Sequence, residues 1–120
     1  MGAEWDQIRL EIAELGCHTS TRRNDWSATI PCDWAPTTVE NPETGIPFSD
    51  DSAWRLICKL LESGYEFHPV DMRKPPGEVG YETKIQLRCD LPVVYIKVQL
   101  RHGKAWGRSF HNDLRKEGAK

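Results

Sequence analysis

The sequence predicts an α+β domain in which two helices and an irregular arm pack with a three- or four-stranded, mainly antiparallel sheet. Three observations carry this prediction. Apolar residues recur at helical spacing in two early segments, prolines break up the stretch between them, and after Gly64 the pattern changes to strand-like alternation. The helices precede the strands and do not alternate with them, which argues against a parallel βαβ layout. At 120 residues the chain has material for one packed core, so residues 1–120 are read as a single domain.

In the first helix Trp5, Ile8, Ile12 and Leu15 form one stripe, with Asp6, Arg9, Glu11 and Glu14 elsewhere around the cylinder and Gly16 at the end. From 17 to 48 the period is lost. Pro31, Pro36, Pro42 and Pro47 and a turn-like segment at 41–45 predict an irregular arm, for which Trp26, Trp34 and Phe48 are the aromatic anchors. Ser49, Asp50, Asp51 and Ser52 offer acceptors to the open amides of a helix start, so the two aspartates are read as capping groups and not as a divalent-ion pair. Trp54, Ile57, Cys58 and Leu61 give that second helix its apolar face, and Gly64 stops it.

Residues 65–72 suit a strand, followed by a loop rich in proline and glycine. Tyr81, Thr83, Ile85 and Leu87 then alternate with Glu82, Lys84, Gln86 and Arg88, as a half-solvated strand requires. Residues 91–100 are the strongest strand segment, and His102 with Gly103 suits a two-residue turn into a last strand ending near His111. Ideal alternation sets Lys97 opposite Arg108, Gln99 opposite Trp106 and Tyr95 opposite Phe110 on one face. Val94, Ile96, Val98 and Leu100 then take the core side with Ala105, Gly107, Ser109 and His111; a bulge changes this allocation. The polar tail 112–120 is expected to fray.

Composition narrows the function classes. No apolar run approaches the ~18 residues of a membrane span, and the acidic opening lacks the basic start and cleavage site of a secretory signal, so a cytoplasmic location is expected. Cys17, Cys32, Cys58 and Cys89 form no Cys-x-x-Cys pair and are expected as thiols. There is no P-loop or dinucleotide fingerprint, and His18 beside Cys17 lacks metal-ligand spacing, so neither a cofactor nor a metal is expected. The formal net charge of -2 conceals a division: residues 1–64 hold 11 acids and 5 bases, and residues 65–120 hold 7 acids and 11 bases. Lys97, Arg101, Lys104 and Arg108 fall between Val93 and His111 with no acid among them, a local basic field able to steer an anionic partner.

These residues are the candidates for chemistry. A solvated face bearing Tyr95, Lys97, Gln99, Trp106, Arg108 and Phe110 mixes cations with flat rings, as RNA recognition does, although long basic side chains also cover ordinary sheet faces. Arg108 is the expected phosphate-contacting or transition-state electrophile with Lys97 in support, and His111 the candidate general acid or base. Tyr95, Arg101, Lys104, Trp106 and Ser109 are the candidate substrate-binding groups. On ideal alternation Ser109 and His111 face away from Lys97 and Arg108, which divides this constellation; His68 is a second, isolated histidine candidate.

Residues 95–111, with the Gly107, Arg108, Ser109, Phe110, His111 run, resemble small toxin endoribonucleases of the RelE and MqsR-like grouping of bacterial toxin–antitoxin systems. The resemblance covers mainly residues 66–111 and rests on the two-helix entry, the terminal sheet and the basic last strand. It implies metal-independent cleavage of single-stranded RNA. The 2′-hydroxyl attacks the adjacent phosphate, His111 or a basic residue moves the proton, and Arg108 or Lys97 stabilises the phosphorane. It also implies a cognate protein antitoxin as partner. The acidic first half and the proline-interrupted section with Trp26 and Trp34 depart from that pattern, and they leave a second reading: a non-catalytic protein-binding module, in particular an immunity protein whose acidic half occludes a basic nuclease toxin.

Overall fold

A computed structural model describes residues 2–113 of the chain. Helices α1 (Gly2–Gly16) and α2 (Asp50–Ser63) pack together on one face of a six-stranded mixed sheet. The strands are β1 (Arg22–Arg23), β2 (Asp33–Trp34), β3 (His68–Asp71), β4 (Val79–Ile85), β5 (Val94–Arg101) and β6 (Lys104–Asn112). Strands β3 to β6 form the expected antiparallel meander, and β1 and β2 both lie parallel to β6 along its outer edge. The class is the predicted α+β. The strand count exceeds the prediction because the arm contributes two short strands that carry no alternation of their own.

Local chemistry sets the ends of α2. Ser49 accepts from the Ser52 amide while the Ser52 hydroxyl accepts from the Ser49 amide, and Gly64 leaves the helix at φ 83° in the left-handed region. Trp54, Ile57 and Leu61 then point inward to meet Trp5 and Ile12 of α1 and Val94, Ile96, Val98 and Phe110 of the sheet.

The hairpin of β5 and β6 closes through His102 and Gly103, both at positive φ, and Gln99 faces Trp106 as predicted. Beyond that pair the register shifts. Val98 opposes Gly107 but Lys97 opposes Ser109, which leaves Arg108 as the extra residue of a β-bulge. The expected Lys97–Arg108 and Tyr95–Phe110 pairs therefore do not form. Tyr95 pairs with His111, Ile96 pairs with Phe110, and Phe110 enters the core. The cause lies in the packing over Gly107, where a Cβ would fall 2.5 Å from the Trp34 ring and 3.0 Å from Trp54. Two indoles fill that space, and the added residue brings Phe110, in place of Ser109, into the next inward position.

The arm is docked. Trp34 lies between Trp54 and Phe110 at ring separations of 5.4 and 5.5 Å and donates to Asp50 from its indole at 2.8 Å. The Ala35 amide donates to the Phe110 carbonyl at 2.9 Å, and the Asn112 side chain donates to the Thr38 carbonyl at 3.1 Å. Arg23 pairs with Trp106 and Asp33 with Ser109, so residues 24–32 span a short length of β6 and must loop outward. The fraying expected from 112 onward does not hold for Asn112, which pairs with Val94, or for Asp113, whose amide donates to the Val93 carbonyl at 2.7 Å; the rest of that tail, 114–120, lies outside the described residues.

Candidate functional site

The bulge reverses the division that ideal alternation imposes. On the sheet face opposite the helices, Tyr95 and Lys97 of β5 now stand beside His111 and Ser109 of β6. His111 Nε2 lies 3.2 Å from a carboxylate oxygen of Asp33 on β2, and its Nδ1 lies 2.8 Å from the Asn112 carbonyl oxygen. Each ring nitrogen thus has an oxygen beside it, which fixes the imidazole plane. The Tyr95 ring packs against it at 5.4 Å.

Lys97 is half-buried and makes no ion pair among the described residues. Burial holds its ammonium below the ordinary lysine range against the pull of Glu82, while Arg108 adds to the lowering and Asp33 opposes it less. Its stem passes the Tyr95 ring, with Nζ 5.9 Å from the centroid, and Tyr95 donates its hydroxyl to Glu82 on β4. Ser109 is buried opposite Lys97.

Arg108 takes a different position from the one expected of a phosphate contact. It is 3% exposed, and its guanidinium donates to Gln99 Oε1 at 2.6 Å, the Lys74 carbonyl at 2.7 Å and the Pro31 carbonyl at 3.2 Å. These acceptors belong to β5, the loop between β3 and β4, and the 24–32 loop of the arm. Arg108 therefore clamps two loops over the upper part of this face. Its charge reaches the open lower part through space, as the effect on Lys97 shows. Burial also lowers the Arg108 pKa from its ordinary value, opposed by the neighbouring Cys32 and Glu78.

Arg101 and Trp106 belong to that upper part. Arg101 pairs with Glu78 at 2.9 Å and stands 6.0 Å from the Trp106 ring centroid, while Gln99 donates to the same carboxylate at 2.7 Å. Burial opposes ionisation of Glu78, but the hydrogen bonds from Arg101 and Gln99 outweigh it and hold the carboxyl below its ordinary value. Lys104 flanks the hairpin turn opposite Arg101, at the end of β6 away from His111. Of the candidate residues, Tyr95, Lys97, Ser109 and His111 thus converge, whereas Arg101, Lys104, Trp106 and Arg108 form or border the closed upper network. His68 lies on β3 opposite Glu82, beside a recess of about 460 Å³ that reaches Tyr95.

Two site residues escape sequence reading. Glu82 lay on the polar face of an alternating strand, a signal that marks solvent exposure and nothing more. Asp33 sits in a two-residue strand, too short for any period, and only tertiary docking brings it to His111. Among the described residues no group of three or more His, Cys, Asp or Glu is placed to hold a metal ion, and no helix is long and apolar enough to cross a membrane.

Fold and site together define a small α+β protein whose helix-free sheet face carries a histidine–aspartate pair beside a half-buried lysine. Compared with protein-family models, curated proteins and solved structures, the chain has no match in any of the three.

Proposed function

We propose that this protein is an endoribonuclease that cleaves single-stranded RNA by attack of the 2′-hydroxyl on the adjacent phosphate, without need of a metal ion. The observation that carries the reading is the bulge at Arg108, because it gathers Lys97, Ser109, Tyr95 and His111 on one helix-free face with Asp33 against His111. A half-buried ammonium that makes no ion pair among the described residues, close to a second buried cation, is relieved when an anion arrives, and a phosphodiester supplies that anion. In this reading His111, whose Nδ1–H donates to the Asn112 carbonyl, takes the 2′-hydroxyl proton on Nε2, and Asp33 stabilises the imidazolium that forms. Lys97 holds the phosphate oxygens and, being a stronger acid than an ordinary lysine, donates to the leaving 5′-oxygen. Tyr95, held by Glu82, supplies a ring for an adjacent base. Arg108 acts as a positioning residue that adds positive potential beside the site.

The test is cleavage of a single-stranded RNA oligonucleotide in the presence of chelator, with the product ends identified by mass. A 2′,3′-cyclic phosphate on the 5′ fragment is the expected outcome. Intact RNA with well-folded protein, or a fragment ending in a 3′-hydroxyl, contradicts the mechanism. Intact RNA combined with tight inhibition of a nuclease toxin assigns the protein to the immunity class.

A further inference from the structure

We infer that Cys17 and Cys58 form a peroxide-reactive dithiol that oxidises to an intramolecular disulfide joining the end of α1 to the middle of α2. This site lies on the helices, away from the sheet face discussed above, and it stands whether or not RNA is the substrate.

The geometry converges on one atom. Cys17 Sγ donates to the Ala13 carbonyl oxygen at 3.2 Å, and Cys58 Sγ donates to the same oxygen at 3.4 Å from the other helix. Gly16 permits this approach, since a Cβ there would meet Cys58 Sγ at 3.1 Å. Both cysteines line a recess of about 610 Å³ together with Arg22, Arg55 and Lys59, so a small oxidant has a path to the pair.

Exposure sets the order of events. Cys17 is exposed, whereas Cys58 is buried, and burial pushes its thiol up to about 12. Cys17 is therefore the sulfur that meets the oxidant. Its thiolate attacks one peroxide oxygen, the O–O bond breaks, and Cys17 becomes a sulfenic acid while the second oxygen leaves as hydroxide and takes up the proton the thiol released, giving water. Cys58 sulfur then attacks the sulfenic sulfur. The S–S bond forms, the S–O bond breaks, and the departing hydroxide takes the Cys58 thiol proton as a second water. Two thiols are oxidised and one peroxide is reduced to two waters. The other cysteines have no such arrangement: Cys32 is buried beside Arg108, and Cys89 is exposed between β4 and β5.

The experiment exposes reduced wild-type protein to hydrogen peroxide, alkylates the remaining thiols under unfolding conditions, and maps the peptides without reduction. A peptide pair linked through Cys17 and Cys58 is expected, with Cys32 alkylated, together with a rise in Tm that dithiothreitol reverses. Cys17→Ser, at an exposed position, should abolish both the link and the Tm shift. Sulfinic acid at Cys17 with Cys58 still alkylated, or a link from Cys17 to Cys89, overturns the inference.

Discussion

In the proposed mechanism Lys97 serves the site at the expense of the fold. Its ammonium is held below the ordinary value of 10.5 by burial and by Arg108. A lysine whose folded-state pKa is depressed costs stability at neutral pH, and stability returns as pH rises through the folded value toward that of the unfolded chain. Lys97→Met keeps the stem and removes the charge. It should leave Tm at pH 7 unchanged or higher while lowering single-turnover RNA cleavage by about 10²–10³-fold; a fall in Tm would mean that the charge is paired in solution. Glu78 behaves in the opposite sense. Its carboxyl lies below the ordinary 4.5, so its contribution is complete above that pH and fades as pH falls through the folded value. Thermal melts of wild type and Glu78→Gln should therefore converge in acid and separate above pH 5, roughly. Arg108 is a structural clamp before it is anything else. Arg108→Ala leaves three acceptors without their donor and should cost about 2–4 kcal/mol in urea unfolding, so lost activity in that variant is interpretable only beside a stability measurement.

At the scale of elements, the decisive feature is the kink in β6, and its origin lies in the arm. Trp34 and Trp54 occupy the space over Gly107, and Arg108 is extruded into the bulge that follows. Gly107→Ala places a methyl group into the Trp34 ring and should destabilise by about 1–3 kcal/mol, with the Asp33–His111 contact disturbed through the same tryptophan. Gly103→Ala, where open space surrounds the position and only the positive φ of 72° is strained, should cost about 1 kcal/mol and leave the site intact. Comparing the two variants by urea unfolding and by the His111 imidazole NMR signals separates packing from turn strain. The helices, the hairpin turn and the Gln99–Trp106 pair were legible because each is governed by residues near in sequence: the Ser49 cap, Gly64, and His102 with Gly103. The bulge was not, because the residue that demands it, Trp34, is remote from β6 in sequence. Asp33 was hidden for the same reason. The convergence of Lys97 with His111 therefore becomes visible only once the arm is docked.

For the whole molecule, the acidic entry and basic sheet noted in the charge pattern resolve into two sides. The helices occupy one face of the sheet, and the cations of the last two strands divide on the other between a closed network around Arg108 and an open patch around Lys97. An electrostatic patch of this kind makes RNA binding weaken as salt rises. On the proposed reading, the patch around Lys97 cuts RNA. Single-turnover cleavage of one RNA oligonucleotide by wild type, His111→Ala and Lys97→Met, with circular dichroism on the same samples, tests it most directly. Cleavage by wild type, with both folded variants slower by at least about 10²-fold, is the predicted result; folded variants that cut as fast as wild type, or a folded wild type that does not cut, would contradict it.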